Sequence, residues 1–257
     1  MELHSRIYGD GPALIILHGL FGSSDNWHSM ARCWSQKFQV HALDQRNHGN
    51  SPHASGMNYN LLSQDLLDYM NAENLESALI VGHSMGGKTA MTFADQFPDR
   101  VTGLVILDIG IKQYEQRHSA ILEALRKLDL TEFSTRSEVD EALQTYIDSP
   151  AVRLFLIKNI RRDKHDRFQW KFNHRELLLD YPKLLAEIPM AFPFDGPTLF
   201  IRGGASDYIP DRDWPVLQNF FPQAEFFTLT DAGHWLHAEE PDEICRLVEE
   251  FGTRSLS

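Results

Sequence analysis

Short apolar runs rich in branched residues alternate with longer amphipathic stretches along most of this chain. The pattern is typical of a parallel β-sheet covered by helices, because the strands of such a sheet are buried on both faces and are connected by helices. We predict strands over six runs, at residues 13–17, 38–43, 78–81, 101–107, 198–201 and 225–229. The sequence therefore predicts an α/β fold built on a mostly parallel, twisted sheet.

Two stretches between these runs have clear helical signals. In the stretch over residues 59–72, apolar side chains recur at helical spacing, and Asn58 precedes it as a candidate N-terminal cap. The stretch that starts at Gly86 runs into Pro98, which marks its end.

The alternation breaks over residues 112–190. This segment has helical patterns and one short alternating stretch, "RFQWKF", but no strand–helix unit of the sheet. We therefore predict a core formed by residues 1–111 and 191–257, with residues 112–190 forming a mostly helical cap inserted into it.

The overall charge excludes two classes of partner. At 257 residues the chain is long enough for one sizeable core, and its formal net charge is -12. Nucleic acids and anionic membranes favour clusters of Lys and Arg, and the longest such stretch is "NIRRDK" at 159–164. We expect neither nucleic-acid binding nor stable membrane association.

The two cysteines and the N-terminal residues indicate a compartment. Cys33 and Cys245 are far apart and form no CxxC pair, so we expect neither a disulfide framework nor a thiolate metal site. The apolar run at 13–17 is too short for a membrane span, and the residues before it lack a basic segment typical of signal peptides. We expect a cytoplasmic protein.

A candidate nucleophile lies where the strand over 78–81 meets the following helix. There Gly82, Ser84 and Gly86 form a G-x-S-x-G pattern. A serine on such a sharp turn has a strained backbone, the flanking glycines let neighbouring backbone pass close by, and the helix N-terminus favours negative charge beside it. The alternative is a loop of small residues that only packs strand against helix.

A serine nucleophile needs a base, and His234 in "TDAGHWLHAEEP" follows the strand over 225–229. A metal site of His234, His237 and Glu239 is the alternative, but no further His or Cys cluster supports it. We interpret His237 as part of the opening turn of the last helix, and His83 as a packing residue.

Backbone amides near two strand ends could stabilise an oxyanion. The stretch "LHGLFG" at 17–22 follows the first long strand, so the amide of Leu20 or Phe21 can converge with that of Met85. We interpret His18 in this stretch as a buried residue that organises the loop. An ordinary turn after the strand is the alternative.

Two aspartates are candidates for the acid that orients the histidine. Asp108 ends the apolar run "LVILDIG", and Asp207 follows another such run in "FIRGGASDYIP". Either could instead be a turn residue that bonds local backbone.

Five stretches together resemble the α/β-hydrolase superfamily, in its order and over nearly the whole chain: "LHGLFGSSDNW", "LDQRNHGNS", "GHSMGGKTA", "LVILDIG" and "AGHWLHAEEP". The combination is similar to small bacterial esterases and their mitochondrial abhydrolase-domain relatives. Asn47 replaces a glycine usual in the superfamily, and Asp44, Arg46 and Ser51 are expected to brace that loop.

The resemblance bears on the choice of acid. Most of the superfamily uses a G-x-x-D-x-x-P pattern, which Gly204, Asp207 and Pro210 match. The small-esterase group instead resembles this chain at "LVILDIG", which favours Asp108. Both aspartates remain candidates, and geometry has to decide between them.

These residues predict a serine carboxylesterase that acts on small to medium acyl esters through an acyl-enzyme, without a cofactor. The expected partner is a small-molecule ester, and the sequence leaves the oligomeric state open. Three alternatives share the fold: an acyl-CoA thioesterase, a carbon–carbon bond hydrolase and a non-catalytic ligand-binding protein. His83 argues against the second, since such hydrolases resemble "GNSMGG" at the turn.

The insertion supplies candidate substrate contacts. Phe168, Trp170 and Phe172 could line an acyl pocket, although plain packing is the alternative for aromatic residues at this spacing. Lys88, one turn into the helix after Ser84, could bind an anionic substrate. The alternative is an exposed helix residue, since a positive charge near a helix N-terminus is mildly unfavourable.

Overall fold

The structure is a computed structural model that describes residues 1–256. Seven strands form one sheet and two more form a small separate sheet. The strands are β1 (Ser5–Tyr8), β2 (Ala13–Leu17), β3 (Gln39–Leu43), β4 (Ala78–His83), β5 (Val101–Leu107), β6 (Ile160–Arg162), β7 (Phe168–Trp170), β8 (Thr198–Gly203) and β9 (Ala224–Leu229).

The large sheet has the order β1-β3-β2-β4-β5-β8-β9. All neighbouring pairs are parallel except β1 with β3, which is antiparallel. The mostly parallel sheet is therefore confirmed, as are its six predicted strands. β1 was missed because it is a short strand at the sheet edge whose residues are only partly buried, so it has no apolar run.

Ten helices lie among the described residues. They are α1 (His28–Trp34), α2 (Tyr59–Ala72), α3 (Met85–Gln96), α4 (Ser119–Lys127), α5 (Arg136–Gln144), α6 (Pro150–Lys158), α7 (His174–Leu185), α8 (Trp214–Phe220), α9 (Leu236–Glu239) and α10 (Pro241–Ser255). Both predicted helices are present as α2 and α3. The Asn58 side chain caps α2 by accepting the Leu61 amide at 3.0 Å.

Helices cover both faces of the sheet because neighbouring residues of each strand point to opposite sides. On β2, Ile15 packs in a cluster with residues of α2 and α3, whereas Leu14 and Ile16 pack in a cluster with residues of α1 and α10. This arrangement places the N-terminus of α3 at the end of the fully buried strand β4.

The segment between β5 and β8 contains α4 to α7 and the β6-β7 hairpin. Its apolar side chains form a third cluster, which includes Leu122, Leu156 and Trp170 and also takes in Phe21 and Met85 of the core. The segment is therefore mostly helical and packs over the end of the sheet that holds Ser84.

The two cysteines contradict the expectation drawn from their spacing. Cys33 on α1 and Cys245 on α10 are joined by a disulfide, with their Cα atoms 6.4 Å apart. The two helices pack side by side on one face of the sheet and bring together residues separated by 212 positions. Sequence spacing contains no information on this contact.

Helix length and polarity bear on membrane insertion. Within residues 1–256, no helix combines the length and apolar character needed to cross a membrane.

Candidate active site

The carboxyl ends of parallel strands meet at one edge of the sheet, and four loops there bear polar residues. The residues are Ser84 after β4, Asp108 after β5, Ser206 after β8 and His234 after β9. β4, β5, β8 and β9 are neighbours in the sheet, so residues far apart in sequence come together.

Ser84 lies on a strained turn between β4 and α3. Its φ of 52° and ψ of -118° fall outside the regions that ordinary residues populate. A Cβ at Gly82 would collide with the Gly86 backbone, and one at Gly86 would collide with the Leu17 carbonyl, so both glycines are required. The turn is held by the Ser84 amide, which donates to the Leu107 carbonyl at 3.1 Å.

Asp108 faces His234. Its Oδ2 lies 2.8 Å from Nδ1 of the imidazole, and the carboxylate is fully buried. The Gly203 amide donates to Oδ1 at 3.1 Å, and the Ser206 hydroxyl bonds Oδ2 as well. Asp108 has a φ of 51°, a second strained position at this edge of the sheet. Three neighbours therefore fix the orientation of the carboxylate.

Asp207 lies away from the histidine. Its side chain is 78% exposed and forms an ion pair with Arg117. The hydrogen bond and charge of Arg117 lower the pKa of Asp207, so this carboxylate is ionised but faces solvent. Of the two candidate acids, the structure brings only Asp108 to His234.

His234 is packed between two other side chains. The Tyr208 ring stacks on the imidazole with centroids 3.7 Å apart and an interplanar angle of 9°. On the backbone side, His83 Nε2 donates to the His234 carbonyl at 2.8 Å. Burial holds the pKa of His83 well below 6.5, so this ring stays neutral. His83 is thus a packing residue, as expected, and it anchors the loop that holds His234.

His237 and Glu239, which the alternative metal site would use with His234, contact other residues. Glu239 accepts the Gly233 amide, and the His237 ring stacks on Trp27 with centroids 4.3 Å apart. Burial lowers the pKa of His237 to about 3. His237 lies in the short helix α9, whereas the prediction placed it in the opening turn of the last helix, α10.

Ser84 and His234 line one crevice of about 530 Å³. Within residues 1–256 no hydrogen bond connects the Ser84 hydroxyl to the imidazole. Catalytic hydrogen bonds are often long before substrate binds, so the shared crevice is the relevant observation.

The three candidate donors to an oxyanion differ in whether their backbone amides already donate a hydrogen bond. The Phe21 amide donates to His48 Nε2 at 3.2 Å, which contradicts its candidacy as an oxyanion donor. Among residues 1–256 the amides of Leu20 and Met85 have no acceptor, and both residues line a small cavity beside Ser84. Phe21 itself has a φ of 63°, a left-handed conformation in the turn after β2.

The loops around these amides are braced as expected. His18 Nε2 accepts the Gln45 amide at 3.0 Å, so this histidine organises the loop. Asp44 accepts the amides of Ser24 at 2.6 Å and Asn50 at 2.8 Å. Asn47 has a φ of 63°, a conformation that asparagine tolerates in place of glycine.

The structure does not place the three aromatic residues predicted for an acyl pocket beside Ser84. Phe168, Trp170 and Phe172 are buried in the apolar cluster of the insertion, and they line a separate groove that contains neither Ser84 nor His234. Their alternating spacing arises because Phe168 and Trp170 occupy the buried face of β7. Their burial favours the alternative, plain packing, for all three.

Lys88 is not the exposed residue that its position suggested. Its side chain is 1% exposed, and Nζ donates to the carbonyls of Lys112, at 2.7 Å, and Ala186. These carbonyls belong to the two ends of the insertion, which the Ile188 amide also joins by donating to the Ile111 carbonyl at 2.8 Å. Lys88 therefore fastens both ends of the insertion to α3, although it also lines the small cavity beside Ser84.

The burial of Lys88 predicts a pH-dependent stability. Desolvation lowers the pKa of Lys88 to about 7, against 10.5 in the unfolded chain. Between these values the unfolded state binds one more proton, so stability rises with pH. We expect the free energy of unfolding of the wild type, relative to Lys88→Met, to increase by on the order of 1 kcal/mol per pH unit above about pH 7. Urea unfolding of both proteins across this range measures it, and a pH-independent difference would contradict it.

Two residues of the site escaped the sequence analysis. Ser206 bonds Asp108 and Tyr208 stacks on His234, and both lie in "GGASDYIP", the stretch singled out for Asp207. The signal was the position of this stretch after a buried strand. Within this stretch, Ser206 and Tyr208 contact the Asp108–His234 pair, whereas the predicted residue, Asp207, does not.

Comparisons with known proteins identify the family and the fold of this chain. A family model described as the alpha/beta hydrolase fold matches residues 12–241. The mouse protein "sn-1-specific diacylglycerol lipase ABHD11" is 36% identical over 248 residues, covering 93% of this chain and 80% of that protein. "Esterase YbfF" of Escherichia coli is 34% identical over 241 residues, covering 93% and 92%. A solved structure titled "Marine microorganism esterase" is 42% identical with a TM-score of 0.95, covering 97% of this chain and 99% of that one.

Proposed function

Because this chain belongs to the α/β hydrolase fold family, we propose that it is a serine carboxylesterase that hydrolyses esters through an acyl-enzyme intermediate. The observation that carries the proposal is the contact of 2.8 Å between Asp108 and His234, at a crevice that His234 shares with Ser84 on its strained turn. Relatives named as esterases and a lipase support ester hydrolysis.

The proposed reaction begins with the orientation of the histidine. Asp108 accepts a hydrogen bond from Nδ1–H of His234, so the unprotonated Nε2 is left for the Ser84 hydroxyl. Ser84 Oγ attacks the ester carbonyl while Nε2 takes its proton, and the carbonyl oxygen becomes an oxyanion. The buried carboxylate of Asp108 stabilises the imidazolium that forms.

The intermediate then collapses. The free amides of Leu20 and Met85 donate to the oxyanion, and such donors typically contribute about 3 kcal/mol each to transition-state stabilisation. The bond from carbon to the leaving oxygen breaks as the imidazolium protonates that oxygen, which releases the alcohol. Water, deprotonated by Nε2, attacks the acyl-enzyme in the same way and releases the acid.

We further propose that residues 112–190 act as a cap over residues 1–111 and 191–257. Side chains of α6, namely Ala151, Leu154 and Phe155, form one wall of the crevice that contains Ser84. The cap therefore contributes to substrate selection, although Phe168, Trp170 and Phe172 do not.

The purified protein tests the proposal directly. We expect it to hydrolyse p-nitrophenyl acetate, and we expect a fluorophosphonate probe to label the peptide that contains Ser84. An acyl-CoA assayed in parallel distinguishes a thioesterase, which would use the same residues. Failure both to turn over esters and to take up the probe would overturn the enzyme proposal and favour a ligand-binding protein.

A further inference from the structure

We propose that Ser84 divides its substrate between two cavities of unequal size, so that the enzyme selects short acyl chains esterified to bulky alcohols. This inference rests on the proposed serine esterase function and specifies its substrate class. Three observations support it: the sizes of the two cavities, the catalytic groups that each contains, and the rigid walls of the smaller one.

The larger cavity is the crevice of about 530 Å³. It is lined by Ser84, His234 and Trp235, by the loop over residues 18–29 and by α6 of the insertion. Leu154 on α6 is 55% exposed at this crevice, an apolar side chain positioned to contact a ligand. A volume of this size is typical of sites that bind drug-sized molecules.

The smaller cavity, of about 40 Å³, is also lined by Ser84. Tyr59, Tyr114, Tyr181 and Tyr208 dominate its walls. These walls are rigid because the Tyr59 hydroxyl donates to the Leu184 carbonyl at 2.6 Å and the Tyr114 hydroxyl donates to the Tyr208 carbonyl at 3.0 Å.

The chemistry assigns one half of the ester to each cavity. The leaving oxygen must lie within reach of Nε2 of His234, because this atom protonates it. His234 lines the crevice and not the small cavity, whereas the Tyr208 ring stacked on it lines the small cavity. The alcohol therefore occupies the crevice.

The acyl chain extends from the tetrahedral carbon into the small cavity, because the alcohol occupies the crevice. Of the two proposed oxyanion donors, Met85 lines only the small cavity and Leu20 lines both cavities, so the carbonyl lies where the small cavity meets the crevice. Each heavy atom needs roughly 10–15 Å³ of such volume, so the cavity holds about three carbons beyond the carbonyl. Acyl groups from acetyl to butyryl fit, and longer chains meet the tyrosine walls.

Two substrate series test the assignment on the wild-type protein. At constant alcohol, p-nitrophenyl acetate and butyrate should exceed p-nitrophenyl octanoate in kcat/KM by at least roughly 30-fold, as expected for a chain that the pocket excludes. At constant acyl group, benzyl acetate, whose leaving alcohol is bulkier than ethanol but of similar basicity, should be hydrolysed at least as well as ethyl acetate. An octanoate that matches or exceeds the acetate would place the acyl chain in the crevice and overturn the proposal.

Two variants make the test specific to each cavity. Leu184→Ala widens the small cavity and should raise the ratio of octanoate to acetate turnover by about 10-fold or more, without improving the benzyl ester relative to the ethyl ester. Leu154→Ala in the crevice should alter the alcohol preference and leave the acyl-chain profile unchanged. If Leu154→Ala shifts the acyl-chain profile instead, the assignment is reversed.

The outcomes separate this inference from the function on which it rests. Because Leu184 is buried, thermal melting of the variant is compared with that of the wild type, and Leu185→Ala, which borders the same cavity, serves as a second widening variant. Hydrolysis of long-chain esters in preference to short ones overturns the cavity assignment but keeps the esterase. The absence of turnover of every ester overturns both.

Discussion

Replacing Ser84 with alanine is expected to lower kcat for p-nitrophenyl acetate roughly 10⁶-fold and to abolish fluorophosphonate labelling. The loss is large because the hydroxyl forms the covalent intermediate, and no other side chain on the strained turn can replace it. Initial rates and intact-protein mass spectrometry measure the two effects.

Two controls make this result specific. The exposed serine at position 55 lies outside the crevice, so Ser55→Ala should retain full turnover and full labelling. The melting temperature of Ser84→Ala should not fall, since removal of the hydroxyl breaks no hydrogen bond found in residues 1–256. A Ser84→Ala protein that still hydrolyses the ester at more than about a hundredth of the wild-type rate would contradict the proposed nucleophile.

Replacing Asp108 with asparagine is expected to lower kcat about 10⁴-fold. Because the Gly203 amide donates to Oδ1, an asparagine would keep its oxygen there and turn its NH2 group toward Nδ1. The NH2 group then donates to Nδ1, which holds the imidazole in the wrong tautomer, and the neutral amide cannot stabilise the imidazolium as the carboxylate does. Its KM for short esters should change far less, because Asp108 lies behind His234 and lines neither cavity. Steady-state kinetics at one pH separates the two parameters.

Asp207→Asn is the matched control for this substitution. Its carboxylate is exposed and pairs with Arg117, so we expect less than about a twofold change in kcat. The double variant should resemble Asp108→Asn alone, because the second aspartate makes no contact with the histidine. If instead Asp207→Asn costs orders of magnitude while Asp108→Asn stays near normal, the earlier aspartate is not the acid.

The fold was largely predictable because its signals are local. Five of the six predicted strands are apolar runs that are largely buried, the sixth, β9, is a partly exposed edge strand that still has an apolar run, and α2 begins at the asparagine that caps it. β1 has no such run, and it forms because its backbone pairs with the edge of β3. Pairing at an edge leaves little mark on side-chain composition.

The errors concern residues whose environment is set by distant parts of the chain. Lys88 on α3 has a pattern typical of a surface lysine, yet the two ends of the insertion cover it with carbonyl acceptors. The disulfide between Cys33 and Cys245 depends in the same way on how α1 packs against α10. Neither contact involves residues close enough in sequence to produce a pattern.

By itself, the sequence determined the sheet, the serine on its turn and the histidine after the last strand, because each depends on a strand end and a few adjacent residues. The tertiary structure alone decided which aspartate meets His234, since that contact joins residues 126 positions apart. It also decided that the Phe21 amide is occupied by His48 and that two cavities of different size flank Ser84. Distances across neighbouring strands and the space left by packed side chains are properties of the folded chain.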